Sequence, residues 1–306
     1  MTLDELKQMR RKKWHVDGSA VRTLDAGREF VESVGFCLLY PLHPPVLIPT
    51  FLGAFAGSDE GLPTWQHAYG DPRAAEATEL MVRLLRERSA YEANLFGEAN
   101  LLVASAIFPY FYGLVGDRNP RQIAKPGMRS EYSPLARDVF EVIRAKGPIS
   151  KAQMRGVLRG EPSDAALDRA LGELWSRLRI TRVDYVPAEG AYWDGLFRWA
   201  PDAVREGIQL SVPEALSALI SKYLDCVVAA EIAELEDFFS HLVSRSRVRD
   251  SINALLAARE YSLVHVDSRV MIQMTAHAEA MTEPASRSVP IVPREKRRRL
   301  QPQPKR

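Results

Sequence analysis

The stretch that decides the fold is residues 133–201, SPLARDVFEVIRAKGPISKAQMRGVLRGEPSDAALDRALGELWSRLRITRVDYVPAEGAYWDGLFRWAP. Ser133 is a favourable N-cap residue, and the proline after it costs nothing at the first helical position, where its missing N–H would have had no partner. Apolar residues then recur with helical spacing up to Gly147-Pro148, a pair that stops a helix. The stretch therefore predicts a first helix between these two signals.

Two more helices are predicted within the same stretch. The residues Ser150-Lys-Ala-Gln153 form a capping box, and the short helix that they start ends by Gly160. Ser163-Asp164 caps a longer helix, whose apolar residues recur over about three turns. These apolar residues are Leu167, Ala170, Leu171, Leu174, Trp175 and Leu178. The predicted order is thus helix, short helix and longer helix.

A hairpin is predicted after the third helix. Residues 180–186 are β-branched and aromatic, Pro187-Ala-Glu-Gly190 is typical of a turn, and residues 191–199 return as a second strand. Three helices followed by such a hairpin, the wing, form the winged helix-turn-helix, whose third helix and wing commonly contact nucleic acid. We therefore predict a winged-helix module over residues 131–205.

The same order is predicted once more downstream. Ser211-Val-Pro-Glu214 is another capping box, residues 227–239 and 248–256 have helical patterns, and residues 263–274 are typical of a short hairpin. Sequence identity between the two copies is slight, but the repeated order of elements indicates a duplication. We therefore expect a second winged-helix-like module over residues 206–280.

The two ends of the chain differ from this pattern. Residues 1–130 are expected to form a helical N-terminal unit, including an amphipathic helix over residues 20–34 and a buried helix over residues 101–108. Residues 281–306 are rich in Pro, Ser, Arg and Lys and are expected to be a disordered basic tail. The predicted fold class is mainly α, with tandem winged helices that carry small β-hairpin wings.

Composition places limits on the partners and the compartment. The net charge is +2, but residues 294–306 carry seven basic side chains and one acidic one, so the rest of the chain is mildly acidic. Any nucleic-acid surface on the folded part must therefore be local. Cys37 and Cys226 stand in apolar segments without metal-ligand spacing, which predicts buried thiols in a reducing cytoplasm.

Several classes of site are not indicated by the sequence. Residues 1–13 lack the apolar core of a signal peptide, and the apolar residues 101–115 are too few to span a bilayer, so we expect a cytoplasmic protein without a membrane anchor. Metal-ligand pairs, phosphate-binding loops and dinucleotide-binding glycine patterns are absent from the sequence. We therefore expect neither a metal nor a cofactor.

Three segments carry a resemblance to a known family. Gly147-Pro-Ile-Ser150, Ala170-Leu-Gly-Glu-Leu-Trp175 and residues 95–109 resemble the AlkZ-type winged-helix DNA glycosylases, tandem winged-helix proteins that remove alkylated or crosslinked bases. The similarity runs in order over residues 20–275 and is closest to a divergent, AlkZ-related branch. It implies double-stranded DNA as the partner and hydrolysis of N-glycosidic bonds as the activity.

The family's catalytic signature is not matched. The family has two polar residues around one apolar residue, Q-Φ-Q or Q-Φ-D, and the matching window here is Val34-Gly-Phe-Cys-Leu-Leu-Tyr-Pro41. Leu38 and Tyr40 occupy the two polar positions. Leucine cannot hold a water molecule, and tyrosine is a poor base at neutral pH. The catalytic residues thus stay unassigned, with Glu98 and Asn100 as candidate replacements.

Candidate DNA contacts fall in both modules. In the first, they combine positive charge, a hydroxyl group and aromatic rings on the third helix and the wing. In the second, they lie at the start of a helix, where the positive end of the helix dipole also attracts phosphate. The candidates are Arg169, Ser176, Arg182, Tyr192 and Trp193, then Arg245, Arg247, Arg249 and Asn253.

Each candidate also has a purely structural interpretation. Wing aromatics commonly pack on the third helix, and a run of charges is commonly a solvated face. The competing hypotheses for the whole protein are therefore a noncatalytic winged-helix transcription regulator and a protein-interaction module. The sequence does not identify protein partners.

Overall fold

The computed structural model describes residues 1–97, 99–123 and 132–277. Glu98 and the predicted basic tail, residues 281–306, lie outside the described residues. In the described part, no helix is long and apolar enough to cross a membrane. Cys37 and Cys226 are buried free thiols, and burial raises the pKa of both.

The N-terminal unit combines helices with a three-stranded antiparallel sheet of order β1-β3-β2. A 3-10 helix, Trp65–His67, precedes its longest helix. The elements are α1 Leu3–Lys13, α2 Leu24–Val34, β1 Phe36–Leu38, α3 Phe51–Ala56, α4 Pro72–Arg86, β2 Ala90–Phe96, β3 Ala99–Ala104 and α5 Phe108–Val115.

Two predictions for this unit were wrong in part. The predicted helix over residues 101–108 is mainly strand β3, which pairs with both β1 and β2. Leu101, Leu102 and Val103 are all buried, and a strand that is covered on both faces has the same continuous apolar run as a buried helix. The helix predicted over residues 20–34 begins only at Leu24, because Thr23 is its N-cap.

The first three-helix unit, residues 134–195, contains the predicted helices and hairpin. Its short strand β4 lies between the first two helices and completes a sheet of order β4-β6-β5. The elements are α6 Pro134–Lys146, β4 Ile149–Ser150, α7 Lys151–Val157, α8 Asp164–Trp175, β5 Ile180–Val186 and β6 Gly190–Gly195.

The second hairpin strand of this unit is shorter than predicted. Instead of continuing to Trp199, it ends at Gly195 and is followed by α9 Leu196–Trp199 and α10 Pro201–Gln209. The Asp194 carboxylate ends the strand, since it accepts a hydrogen bond from the Gly195 N–H at 2.6 Å and pairs with the Arg198 guanidinium.

The second three-helix unit, residues 212–274, repeats the order of the first. Its sheet has the order β7-β9-β8, so the short strand again pairs with the last strand of the hairpin. The elements are α11 Val212–Val227, β7 Ala229–Ala230, α12 Ile232–Phe239, α13 Arg245–Ala257, β8 Tyr261–Val266 and β9 Arg269–Met274.

The helix predicted over residues 227–239 was wrong at its start. Val228 has a φ of 71°, which ends α11, and Ala229-Ala230 then pairs with β9 before α12 begins. The predicted hairpin over residues 263–274 is present and is two residues longer at its start.

The cores of these units differ in how they are shared. One face of the N-terminal sheet, with Phe36, Leu101 and Val103, packs into a large core together with α5 and helices of the second unit. The first unit has a core of its own around Phe140 and Leu174. The first unit therefore meets the N-terminal sheet along a boundary, and this boundary contains the candidate site.

Candidate functional site

A cleft of about 560 Å³ lies where the N-terminal unit meets the first unit. One wall is formed by the segment after β1, by α4 and by the ends of β2 and β3, and the other by α8 and β5. Aromatic and polar groups face each other across it. Among the lining residues are Tyr40, Trp65, Trp175, Asn94, Asn100 and Arg182.

Glu92 in β2 joins the two walls through its backbone. Its carbonyl oxygen accepts hydrogen bonds from the Trp175 indole Nε1, at 3.1 Å, and from the Thr181 hydroxyl, at 2.9 Å. Trp175 ends α8 and Thr181 lies in β5, so both bonds attach the first unit to the N-terminal sheet. All three residues are buried, which protects these bonds from competing water and fixes the width of the cleft.

The Glu92 side chain is a buried carboxyl group beside the cleft. One oxygen, Oε1, accepts a hydrogen bond from Asn100 Nδ2 at 2.9 Å and lies 3.5 Å from Arg182 Nη2. The other oxygen, Oε2, is buried without a hydrogen-bond partner. Burial raises the pKa of this carboxyl, and the Arg182 charge and the Asn100 hydrogen bond oppose that rise.

Arg182 is held against the aromatic residues of the first unit. Its guanidinium carbon lies 4.4 Å from the ring centre of Trp175 and 5.6 Å from that of Trp193. Its Nε is buried without a hydrogen-bond partner. Two buried polar atoms without partners, Glu92 Oε2 and Arg182 Nε, thus lie at the cleft. Such atoms cost stability, and a role in function is one reason for a protein to retain them.

The comparisons with known proteins concern the family of the chain and its overall fold. A family model described as DNA glycosylase AlkZ-like matches residues 52–302, which is most of the chain. The chain belongs to the AlkZ-like DNA glycosylase family. The resemblance expected from the sequence is therefore confirmed.

A solved structure shows that the AlkZ-like chain also shares its fold with a characterised protein. The Streptomyces sahachiroi DNA glycosylase AlkZ matches it with a TM-score of 0.60 and 15% sequence identity, over 93% of this chain and 73% of that one. At this identity the likeness concerns the fold alone. No curated protein sequence matches the chain.

The two positions that match the AlkZ-type catalytic signature have different surroundings. Leu38 is buried in the core and pairs with Leu101. Tyr40 lines the cleft, with its hydroxyl 2.8 Å from Thr78 Oγ1. Since the Thr78 hydroxyl donates to the Ala74 carbonyl, the Tyr40 hydroxyl is the donor in this pair. Position 38 therefore faces the core, and only position 40 faces the cleft.

The other candidate contacts of the first unit are distributed unevenly. Trp193 is 7% exposed and packs edge-to-face on Trp175 at 4.9 Å, so its ring belongs to the core. Tyr192 is half-buried and donates a hydrogen bond to Glu189 at 2.7 Å. Arg169 and Ser176 are exposed on α8. The structure thus brings Arg182 into the cleft and leaves Arg169 and Ser176 at the surface.

Around these surface residues, α8 is acidic. Asp164 and Asp168 are exposed near its start and pair with Lys151 and Arg155 of α7, and Glu173 follows on the same helix. Because Lys151 and Arg155 pair with these carboxylates, the positive and negative charges at the start of α8 largely cancel. The surface of α8 therefore offers little net attraction to DNA.

The start of α13 is the basic surface of the AlkZ-like chain's second unit. Arg245 pairs with Asp237 at 2.5 Å and Arg249 with Glu236 at 2.8 Å, while Arg247 is exposed between them and Asn253 is exposed further along. The Arg245–Asp237 pair is exposed and therefore weak, whereas Arg249 is held by both oxygens of the largely buried Glu236. A phosphate group can therefore compete most readily for Arg245 and Arg247.

The end of β2 and the start of the turn after it lie between this basic surface and the cleft. Gly97, the first residue after β2, lines the cleft. Its neighbour Phe96 packs against Phe238 of α12, with ring centres 4.8 Å apart, and against His241 at 5.4 Å, just before α13. The turn therefore makes the cleft and the start of α13 neighbours.

Sequence reasoning missed Glu92, Asn94 and Thr78. The segment 90–96, AYEANLF, alternates apolar residues with Glu92 and Asn94, which is the pattern of a strand with one polar side. This alternation could have identified Glu92 and Asn94 as candidates. Trp175 and Arg182, on the other wall of the cleft, lie some 80 residues later, and no local sequence pattern connects them with Glu92 and Asn94. In the described residues, no group of His, Cys, Asp or Glu side chains is arranged to hold a metal.

Proposed function

We propose that this AlkZ-like protein binds double-stranded DNA through two winged-helix units and takes one unpaired nucleotide into the cleft. The single observation that carries the proposal is the cleft itself, which combines aromatic rings, amide groups and a cation. Enzymes that act on a base draw it out of the helix, stack it between apolar or aromatic groups and read its edge by hydrogen bonds. Tyr40 and the exposed Trp65 offer the rings, and Asn94 and Asn100 offer the hydrogen bonds.

The repeated topology supports the assignment of the two units as winged helices. Each has three helices, a short strand after the first helix and a hairpin, and the two sheets have equivalent strand orders. In this assignment α8 and α13 are the third helices, and the hairpins β5–β6 and β8–β9 are the wings. Because α8 is acidic, we assign the phosphate contacts to Arg245, Arg247, Arg249 and Asn253.

A binding titration tests the DNA contact. Fluorescence anisotropy of a labelled duplex, with the full chain added at several salt concentrations, should give an affinity that falls as salt rises. Duplexes with one base opposite an abasic-site analogue should bind more tightly than fully paired ones, since such a base costs less to unstack. An affinity no better than that of an unrelated acidic protein would refute DNA binding and favour a protein-interaction module.

Base excision is the second candidate, favoured by family membership. Hydrolysis of an N-glycosidic bond requires a group that holds water and stabilises positive charge on the sugar. Of the signature positions only Tyr40 reaches the cleft, so excision here would depend on other cleft residues such as Asn100. Incubation with alkylated or crosslinked duplex followed by alkaline cleavage decides the point, because abasic sites appear only if the base is removed.

A further inference from the structure

We propose that Asn100, oriented by the buried Glu92, is a specificity residue that presents a fixed hydrogen-bond acceptor to a nucleobase carrying an exocyclic amino group. The proposal rests on the proposed function, since it names the chemistry that the cleft selects in its nucleotide. Neither the family model nor the catalytic signature assigns Glu92 or Asn100 such a role.

The position of the two residues follows from the register of the sheet. Asn94 and Asn100 are directly opposite each other on β2 and β3, so their side chains share one face. Glu92 lies two residues before Asn94 and is therefore on the same face. Further along this face Leu102 is buried in the core formed with α2, α3 and α4. The three polar side chains thus lie where an apolar face opens into the cleft.

The orientation of the Asn100 amide is set by Glu92. Asn100 Nδ2 donates to Glu92 Oε1 at 2.9 Å, and an amide turned the other way would place its carbonyl oxygen against a carboxylate. Burial raises the pKa of the Glu92 carboxyl, and the Arg182 guanidinium, 3.5 Å from Oε1, opposes that rise and favours the ionised carboxylate. Asn100 Oδ1 is consequently the atom left for a ligand, and it accepts hydrogen bonds without donating any.

A fixed acceptor selects for a donor. An amino group on the edge of adenine pairs with Oδ1, while a base that lacks this group leaves Oδ1 desolvated and unpaired. Sites built to hydrogen-bond one group reject the analogue without it more strongly than apolar pockets reject a change in size. Asn94, across the strand pair, supplies a second amide to the same edge.

The experiment compares adenine with unsubstituted purine, which differs by the amino group alone. Each base is placed opposite an abasic-site analogue in the same duplex, and the Kd of the full chain is measured by anisotropy. We expect the wild-type protein to bind the adenine duplex about tenfold more tightly than the purine duplex. In Asn100→Leu, which removes the acceptor, the ratio should fall to about one.

Glu92→Gln tests the positioning role separately. A glutamine can offer Asn100 either an oxygen or an N–H, so the Asn100 amide can turn over and the preference for adenine should fall while general DNA affinity is retained. Glu76→Gln, an exposed substitution on α4, is the matched control and should keep the wild-type ratio. Thermal unfolding of each variant checks that it is folded.

The possible results separate the two proposals. Equal binding of paired and unpaired-base duplexes by the wild-type chain contradicts the proposed function. Tighter binding of unpaired bases without a preference for adenine, or a preference that survives Asn100→Leu, overturns the inference alone. If Glu92→Gln does not fold, the wild-type ratio and the Asn100→Leu ratio still decide.

Discussion

The two three-helix units have the same topology but carry different side chains on the third helix. The third helix of the first unit, α8, exposes Asp164 and Asp168, whereas that of the second, α13, begins with Arg245, Arg247 and Arg249. The first unit's wing is fixed to the N-terminal sheet through Glu92, and the second unit's wing exposes Leu263 and Val270. The first unit thus closes the cleft, and we propose that the second unit provides the cations that contact phosphate.

The largest expected effect comes from removing the anchor of the first unit. Trp175→Ala deletes a buried ring that packs on Trp193 and Arg182 and bonds to the Glu92 carbonyl, so the free energy of unfolding should fall by about 3–5 kcal/mol. Urea unfolding followed by circular dichroism measures this loss. Leu263→Ser, in the exposed wing of the second unit, should change stability by less than about 0.5 kcal/mol. Similar losses in the two variants would show that Trp175 does not anchor the first unit.

The next effect concerns the charge on α13. Replacing Arg245, Arg247 and Arg249 together by alanine should weaken duplex binding at low salt by at least about tenfold and lower the slope of log affinity against log salt by about 2–3. A variant with Arg22, Arg83 and Arg205 replaced by alanine has the same change in charge at other exposed sites. If both triple variants lose the same affinity, net charge and not α13 attracts DNA.

The boundary between the N-terminal unit and the first three-helix unit was harder to predict from the sequence than the elements of either unit. The helices of the first unit are fixed by local signals, since Ser133, Ser150 and Ser163 all accept hydrogen bonds as N-caps. Strand β3 was mistaken for a helix because its apolar run is buried on both sides. The cleft depends on contacts such as Glu92 with Thr181, which no periodicity in either segment records.

The signature positions illustrate the same limit. Comparison of residues alone placed Leu38 and Tyr40 together in one motif. The structure separates them, because β1 pairs with β3 at Leu38 while Tyr40 lies beyond the strand and contacts Thr78. Which of two neighbouring residues faces a cleft is decided by strand pairing, and the partner strand lies some 60 residues further along the chain.

A smaller effect is expected in how the stability of the protein depends on pH through Glu92. Burial raises the pKa of Glu92, so the folded protein binds this proton more tightly than the unfolded chain. The stability that this proton contributes is fully present at pH values below the pKa of Glu92 in the unfolded chain. It is lost as the pH rises through the pKa of Glu92 in the folded protein. Glu92→Gln removes this dependence, so its stability relative to wild type should improve as pH rises from about 4 towards neutrality. Urea unfolding across this range measures the trend, and the opposite trend would mean that Arg182 and Asn100 outweigh burial.

The smallest effect is expected from the C-terminal segment. Residues 281–306 carry eight basic and two acidic side chains, and their deletion should reduce affinity for duplex DNA at low salt by about threefold through lost counterion release. Anisotropy at low and high salt measures the difference, which should vanish at high salt. An unchanged salt slope would leave α13 as the sole basic surface proposed for DNA.

The most direct test of the division of labour between the two units uses a duplex with a single 2-aminopurine opposite an abasic-site analogue. The fluorescence of this base changes when it leaves the stack and enters a protein site. We predict that the wild-type chain changes this emission on binding. Trp175→Ala should abolish the change and bind this duplex only as tightly as a fully paired one, and the α13 triple variant should give the full change once enough protein is added to saturate the duplex. Full binding without any change in emission by the wild-type chain would contradict this division of labour.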